Sequence, residues 1–179
     1  MGWIAERLSR RAAARQIRLK VRASAVRRAE ALANPTASPA QRLLHWWGRA
    51  PAAPASAPQL GLLEKRYGIT LPHDFRAYLE AAMPEGNEWD DEGTRWFPLA
   101  DIRSVREECA EWDSRSALDS DKLLVFADYL IWCYAWAVDC SDTENRGKVA
   151  LITGSDHYVA DSFDAFIDRY LLDDPALHH

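Results

Sequence analysis

Hydrophobic positions recur with helical spacing on both sides of a short break within Leu62–Glu80, LLEKRYGITLPHDFRAYLE. Upstream, Leu60, Leu63 and Tyr67 fall at i, i+3 and i+7, one helical face, and Gly68 stands where a left-handed C-terminal cap is needed. Downstream, Pro72 suits a first helical turn, and Asp74 favours a positive helix N-terminus. Phe75, Tyr78, Leu79 and Ala82 then recur at i, i+3, i+4 and i+7. A third helical stripe is Phe163, Phe166, Ile167, Tyr170 and Leu171, with Asp161 or Ser162 as its cap and Asp164 in its first turn.

Between these helices the pattern changes to period two. Trp96 and Phe97 predict a short strand, and Leu99–Trp112, with Ile102, Val105 and Cys109 on one face, predicts a helix. Leu123–Ala127 and Ile131–Val138 read as strands. In the second, bulky Trp132, Tyr134, Trp136 and Val138 alternate with smaller Ile131, Cys133, Ala135 and Ala137, as expected of a central strand with both faces covered. Ser141–Gly147 reads as a hairpin loop, followed by strands over Val149–Thr153 and His157–Val159. The stretch MPEGNEWDDEGT reads as a polar, acidic surface loop. The fold class is therefore α+β, helices packed on a mainly antiparallel sheet.

Before this region, Trp3–Ala33 is rich in Ala and Arg and contains no Gly or Pro, which predicts one long helix. Ile4, Leu8, Ala12, Leu19 and Val26 roughly share a face, interrupted by Arg15 and Arg22. Asn34, Pro35, Ser38 and Pro39 break it, a short helix runs through Arg42–Trp47, and Pro51, Pro54 and Pro58 read as a stiff linker. The expected organisation is a basic helical extension with linker over residues 1–58, a compact domain over 59–174 and a tail over 175–179, with His178 and His179 disordered.

The order E-x-x-x-G-I-x-L-P-x-D-F-R followed by V-A-D-S-F-x-x-F-I resembles the SUKH superfamily, named partly for a yeast regulator of cell-wall synthesis. Glu64, Gly68, Leu71, Pro72, Asp74, Phe75, Leu79, Ser162, Phe163 and Phe166 carry the resemblance, which covers about Leu62–Leu172. The chain departs from the pattern after the second helix. The family often has an Asn-Gly-Gly-like turn there, and this chain has Pro84, Glu85, Gly86 and Asn87 followed by an acidic insertion. The resemblance implies a non-catalytic binding domain. Many bacterial members resemble immunity proteins that neutralise a cognate toxin, often a nuclease, and the yeast relative implies the alternative of an intracellular scaffold or regulator.

Composition narrows the setting. The 179 residues, 48% of them hydrophobic, suffice for one good core. No run of about 18 apolar residues spans a bilayer, and the start lacks the apolar core of a secretory signal, so a cytoplasmic protein is expected. Three cysteines without C-x-x-C spacing argue against a disulfide framework or a structural zinc site. Residues 1–49 carry eleven Lys or Arg against Glu6 and Glu30, net +9, whereas residues 50–179 carry net −14. Two surfaces of opposite electrostatic preference follow, or a basic segment lying on an acidic body.

The candidate chemistry is recognition. Glu85, Glu88, Asp90, Asp91 and Glu92 surround Trp89, and Glu107, Glu108, Glu111 and Asp113 surround Trp112. Negative potential around aromatic anchors suits a cationic protein partner, the expected one being a cognate toxin domain; solvating charge with both tryptophans packed inward is the alternative. For the arginines between Arg7 and Arg28, docking on the acidic body or on a partner is favoured. Nucleic acid, anionic lipid and a mitochondrial transit role are the alternatives, but no stacking aromatics are interleaved among these residues. Trp46 and Trp47 are candidate anchors for that docking, with ordinary core packing as the equal alternative. No histidine pair has metal-ligand spacing and no glycine-rich phosphate loop is present, so neither metal nor cofactor is expected. One nucleophilic arrangement can be assembled, Cys140 with His157 and Asp139 or Asp156, as the enzymatic alternative.

Overall fold

The computed structural model describes residues 19–48, 54–81, 88–110 and 118–179. The fold is α+β. A helix over residues 19–32, α1, precedes α2 (Pro39–Trp47), α3 (Ala57–Tyr67) and α4 (His73–Ala81). Then come β1 (Glu88–Trp89), β2 (Thr94–Trp96), β3 (Arg103–Ser104), the one-turn helix α5 (Val105–Glu108), β4 (Leu123–Tyr129), β5 (Tyr134–Asp139), β6 (Val149–Ile152), β7 (His157–Ala160) and α6 (Phe163–Leu171). The strands form one antiparallel sheet in the order β1-β2-β4-β5-β6-β7, and β3 also pairs with β4.

The two-sided apolar pattern of β5 matches the burial of both its faces. Trp136 meets Phe166 and Tyr170 of α6 at 5.5 and 6.0 Å, while Ala135 and Ala137 of the opposite face are also fully buried. Phe75 and Tyr78 of α4 each lie 4.9 Å from Phe163, and Phe126 of β4 lies 5.0 Å from it. Aromatic pairs of this kind add about 0.5–1.5 kcal/mol each beyond area burial. From α2, Leu43 and Trp46 enter the same core, Trp46 at 5.6 Å from Tyr170.

Phe126 is an extra residue. Val125 pairs with Ala137 and Ala127 with Trp136, so Phe126 has no opposite number on β5. Its side chain joins the aromatic cluster, and beyond it Asp128 lies opposite Ala135. Fully buried Asp128 is held by Arg95, whose Nε lies 3.3 Å from Oδ1 and whose Nη2 pairs with Oδ2. Burial pushes this carboxyl upward, against the pull of Arg95.

Polar ties explain the sequence motif around Gly68. The cap residue has φ 57°, and Lys122 Nζ donates to the carbonyls of Tyr67 and Gly68 at 2.8 and 2.9 Å, satisfying the end of α3. Glu64 Oε1 accepts the Leu71 N–H at 2.9 Å and pairs with Arg76 Nη2 at 2.6 Å, fastening the G-I-T-L-P linker between α3 and α4. Asp74 Oδ2 accepts the N–H of Asp164 at 3.1 Å, joining the first turns of α4 and α6.

Five expectations are corrected. The helix expected over Leu99–Trp112 is a 3-10 turn at Leu99–Asp101, then β3, then α5, because Arg103 and Ser104 pair with β4 and Ser104 caps a new helix through Glu107 N–H at 3.2 Å. The strand expected from Ile131 starts at Tyr134, since residues 130–132 have left-handed backbone. The acidic loop contains β1, with Trp89 opposite Arg95. The expected tail is docked: Leu177 is buried, its carbonyl accepts Trp136 Nε1–H at 2.9 Å, and His178, expected disordered, lies with Nδ1 2.5 Å from the Tyr134 hydroxyl. Pro58, read as linker, lies in the first turn of α3, where Ser56 N–H donates to Gln59 Oε1 at 2.9 Å. The part of the expected long helix before residue 19 lies outside the described residues, as does Pro51.

Burial works to raise the Glu64 carboxyl, but the hydrogen bonds from Arg76 and the Leu71 N–H, with the charge of Arg76, hold it below its ordinary value. Folded Glu64 therefore binds fewer protons than unfolded Glu64, so its contribution is full above the ordinary carboxylate range and lost as pH falls through its lowered folded value. Glu64→Ala is expected to lower unfolding free energy in urea by about 1–3 kcal/mol at neutral pH. The gap to wild type closes on acidification below that range; a pH-independent gap refutes the assignment.

Candidate functional site

Asp90 organises the turn between β1 and β2. Its Oδ1 accepts the N–H groups of Glu92 and Thr94, both at 2.9 Å, and its Oδ2 accepts Trp96 Nε1–H at 3.0 Å and the Tyr170 hydroxyl at 2.6 Å. Burial, then the charge of Asp90, raises Tyr170 far above its ordinary value, so the phenol remains a donor. Asp90 is thus engaged within the chain. Its neighbours face outward to α1: Arg27 Nη2 lies 3.6 Å from Asp91, and Arg28 pairs with Glu92. Both arginines are seated on α2, Arg27 Nε donating to the Trp46 carbonyl at 2.8 Å and the Arg28 guanidinium lying 4.7 Å from the Trp46 ring centre. Trp46 Nε1–H completes the seat by donating to Ser24 Oγ at 3.2 Å.

The second acidic group is elsewhere. Glu107 accepts the Tyr67 hydroxyl at 2.7 Å and pairs with Arg66 at 2.9 Å; burial, then Glu107, pushes the Tyr67 hydroxyl up to about 12. Half-buried Glu108 follows it in α5. Thr94 pairs with Tyr129 at one end of β4 and Ser104 with Leu124 at the other, so the two groups lie at opposite ends of a seven-residue strand, roughly 20 Å apart along it. Glu88 and Trp89 form β1 beside the first group, Trp89 being 38% exposed with the Arg95 guanidinium 6.0 Å from its ring centre. Glu85, Glu111, Trp112 and Asp113 lie outside the described residues.

Next to the Asp90 turn stands a feature the sequence pattern hid. Leu130, Ile131 and Trp132, at the tip of the β4–β5 hairpin, have φ of 44°, 57° and 64°. Three consecutive left-handed residues, none of them glycine, cost about 1–2 kcal/mol each, and a branched Cβ makes Ile131 the least tolerant. The tip is nonetheless apolar and outward, Leu130 50% and Ile131 78% exposed. Gly93 carries it: its carbonyl accepts the Leu130 N–H at 3.0 Å, and a Cβ on Gly93 would come within 2.9 Å of Leu130 Cδ2. Exposed Cys133 follows, its thiol 3.4 Å from the Leu130 carbonyl.

Behind the tip lies an open cleft of about 450 Å³, lined by Glu92, Thr94, Tyr129, Tyr134, Tyr170 and the C-terminal Asp173, Pro175, His178 and His179. The Tyr129 and Tyr134 rings stack at 4.8 Å. Burial raises the Tyr134 phenol and lowers His178 below its ordinary value, and the Tyr134 hydroxyl is hydrogen-bonded with His178 Nδ1, 2.5 Å away. No sequence signal marked this cleft, because its walls come from a strand pair, a helix and a terminus read as tail.

The nucleophilic arrangement is not assembled. Cys140 is buried at the end of β5 near Val138, its thiol pushed far up by burial, whereas His157 pairs with Leu151 at the opposite end of the neighbouring strands. Burial, with Glu108 and Asp156, pushes the Cys109 thiol up to about 11. Among the described residues no group of three His, Cys, Asp or Glu side chains could hold a metal ion, and no helix is long and apolar enough to cross a membrane. The surface at the Asp90 end offers charge, exposed apolar side chains and aromatic walls, the chemistry of recognition.

A search of curated proteins returned no match. The model of the SMI1/KNR4 family (SUKH-1) matches residues 54–169, well over half of the chain. The matched stretch holds the Glu64–Leu71 and Asp74–Asp164 ties that join α3, α4 and α6, while α1, α2 and the docked C-terminus lie outside it. The chain belongs to the SMI1/KNR4 family (SUKH-1).

Proposed function

We propose that this chain is a non-catalytic, cytoplasmic binding protein that neutralises a cognate bacterial toxin by direct contact. SUKH domains bind partner proteins. The observation that carries the reading further is the hairpin tip: residues 130–132 hold a costly backbone in order to expose Leu130 and Ile131 beside the acidic turn. Backbone strain kept at exposed positions is a mark of a functional surface. The partner-facing footprint is centred on the tip, Trp89, Asp91 and Glu92, with Glu88 on the same hairpin; Glu107 and Glu108, already tied to the far end of the sheet, lie apart from it. Its partner is a toxin domain whose basic active-site groove the acidic turn covers, with apolar contacts supplied by the tip.

The test is affinity purification of the tagged protein from its source cell, with mass spectrometry of what is retained. One strongly basic toxin domain is expected, with an association rate that falls as salt rises. Recovery of signalling or envelope-synthesis proteins in its place would overturn the immunity reading in favour of a regulatory one.

The Asp91→Lys/Glu92→Lys variant is expected to abolish protection of toxin-expressing cells. Adding Arg27→Glu and Arg28→Glu restores the contact with α1 without restoring protection. Asp90 is left unchanged because it holds the turn. Full protection by the double variant refutes the footprint.

Ile131→Gly separates strain from contact. Glycine accepts the left-handed backbone, so thermal stability is expected to be unchanged or raised by up to about 1 kcal/mol, while affinity for the captured partner falls about tenfold or more. A variant that is destabilised, or that binds as tightly as wild type, contradicts this role.

A further inference from the structure

The cleft behind the tip has a composition that the footprint alone does not use. At about 450 Å³ it falls within the size of small-ligand sites, which run to roughly 300–1,000 Å³. The stacked Tyr129 and Tyr134 rings form one wall, and Glu92 and Asp173 contribute carboxylates. Asp173 has no ion pair among the described residues. Burial keeps His178 neutral against the pull of Asp173, so it supplies no competing charge. Arg28 of α1 sits on Glu92, so the margin of the cleft already accepts one guanidinium from this chain.

Aromatic walls with carboxylates beside them recognise cations, and a planar guanidinium both stacks on tyrosine and pairs with carboxylate. We infer that the cleft between the β4–β5 hairpin and the C-terminal segment is a subsite for a guanidinium group, filled by an arginine side chain of the protein partner. The arginine's source rests on the proposed function, and Tyr129 connects the two features because it lines the cleft and directly precedes Leu130. A partner chain laid against the tip therefore places its side chains within reach of the cleft.

The test uses the full chain and NMR titration with N-acetyl-L-arginine amide, its neutral isostere N-acetyl-L-citrulline amide, and agmatine. The arginine amide is expected to shift the ring resonances of Tyr129 and Tyr134 saturably, with the citrulline amide about tenfold weaker. Asp173→Asn, which keeps a residue tolerant of the local φ of 57°, and Tyr129→Leu are each expected to weaken arginine binding about threefold or more. Equal binding of the arginine and citrulline amides, or unchanged affinity in Asp173→Asn, overturns the subsite. Agmatine binding about tenfold more tightly than the amide would overturn the partner side chain as its source, in favour of a free small cation. The two proposals fail separately: absent arginine binding with protection intact removes only the subsite, whereas arginine binding without a basic protein partner removes only the immunity reading.

Discussion

One surplus residue in β4 sets the geometry of the whole functional end. If Phe126 had a partner on β5, simple alternation would put Ala127 and Tyr129 on the opposite face from Trp136 and Tyr134. Because the ladder skips Phe126, Ala127 falls opposite Trp136 and Tyr129 opposite Tyr134. The other edge of β4 is interrupted at the same place: Trp96 pairs with Ala127, the Phe97 N–H bonds the Phe126 carbonyl at 2.8 Å, and pairing resumes with Arg103 opposite Val125. The tyrosine wall of the cleft and the place of Asp128 opposite Ala135, off the Trp136 face, both follow from that parity change.

Charge in this protein is largely spent internally. The acidic body looked free from composition, but Asp90 is saturated by turn amides, Trp96 and Tyr170, Glu107 is held by Arg66 and Tyr67, and Asp91 and Glu92 meet α1. The net opposition of +9 and −14 is therefore partly a seam inside the molecule. Such pairs on a surface are worth little individually. Seated against Trp46, however, Arg27 and Arg28 determine where α1 lies and how the acidic turn is presented.

Legibility in the sequence followed the range of the interactions. The α3–linker–α4 unit and α6 were readable because capping by Gly68 and Ser162 and the apolar stripes are local. The two-faced character of β5 was readable for the same reason. The segment after Leu99 was not, since its residues 102, 105 and 109 are buried with helical spacing while pairing of Arg103 and Ser104 with a strand some twenty residues later breaks the helix. The hairpin tip contains none of the glycine, asparagine or aspartate residues that announce left-handed backbone, and so Ile131 read as strand. The cleft depends on tertiary contacts between Tyr134 and His178 and between Trp136 and Leu177, more than forty residues apart.

The left-handed tip has a consequence for how such a surface could change over time. Its energetic burden belongs to the backbone of residues 130–132 and is shared by nearly every amino acid except glycine and, in part, asparagine and aspartate. Exchanging one exposed unbranched side chain for another at Leu130 or Ile131 therefore alters what is offered to a partner at almost constant conformational expense. Shape and chemistry are decoupled there, so the binding vocabulary can be rewritten while the turn that displays it stays the same.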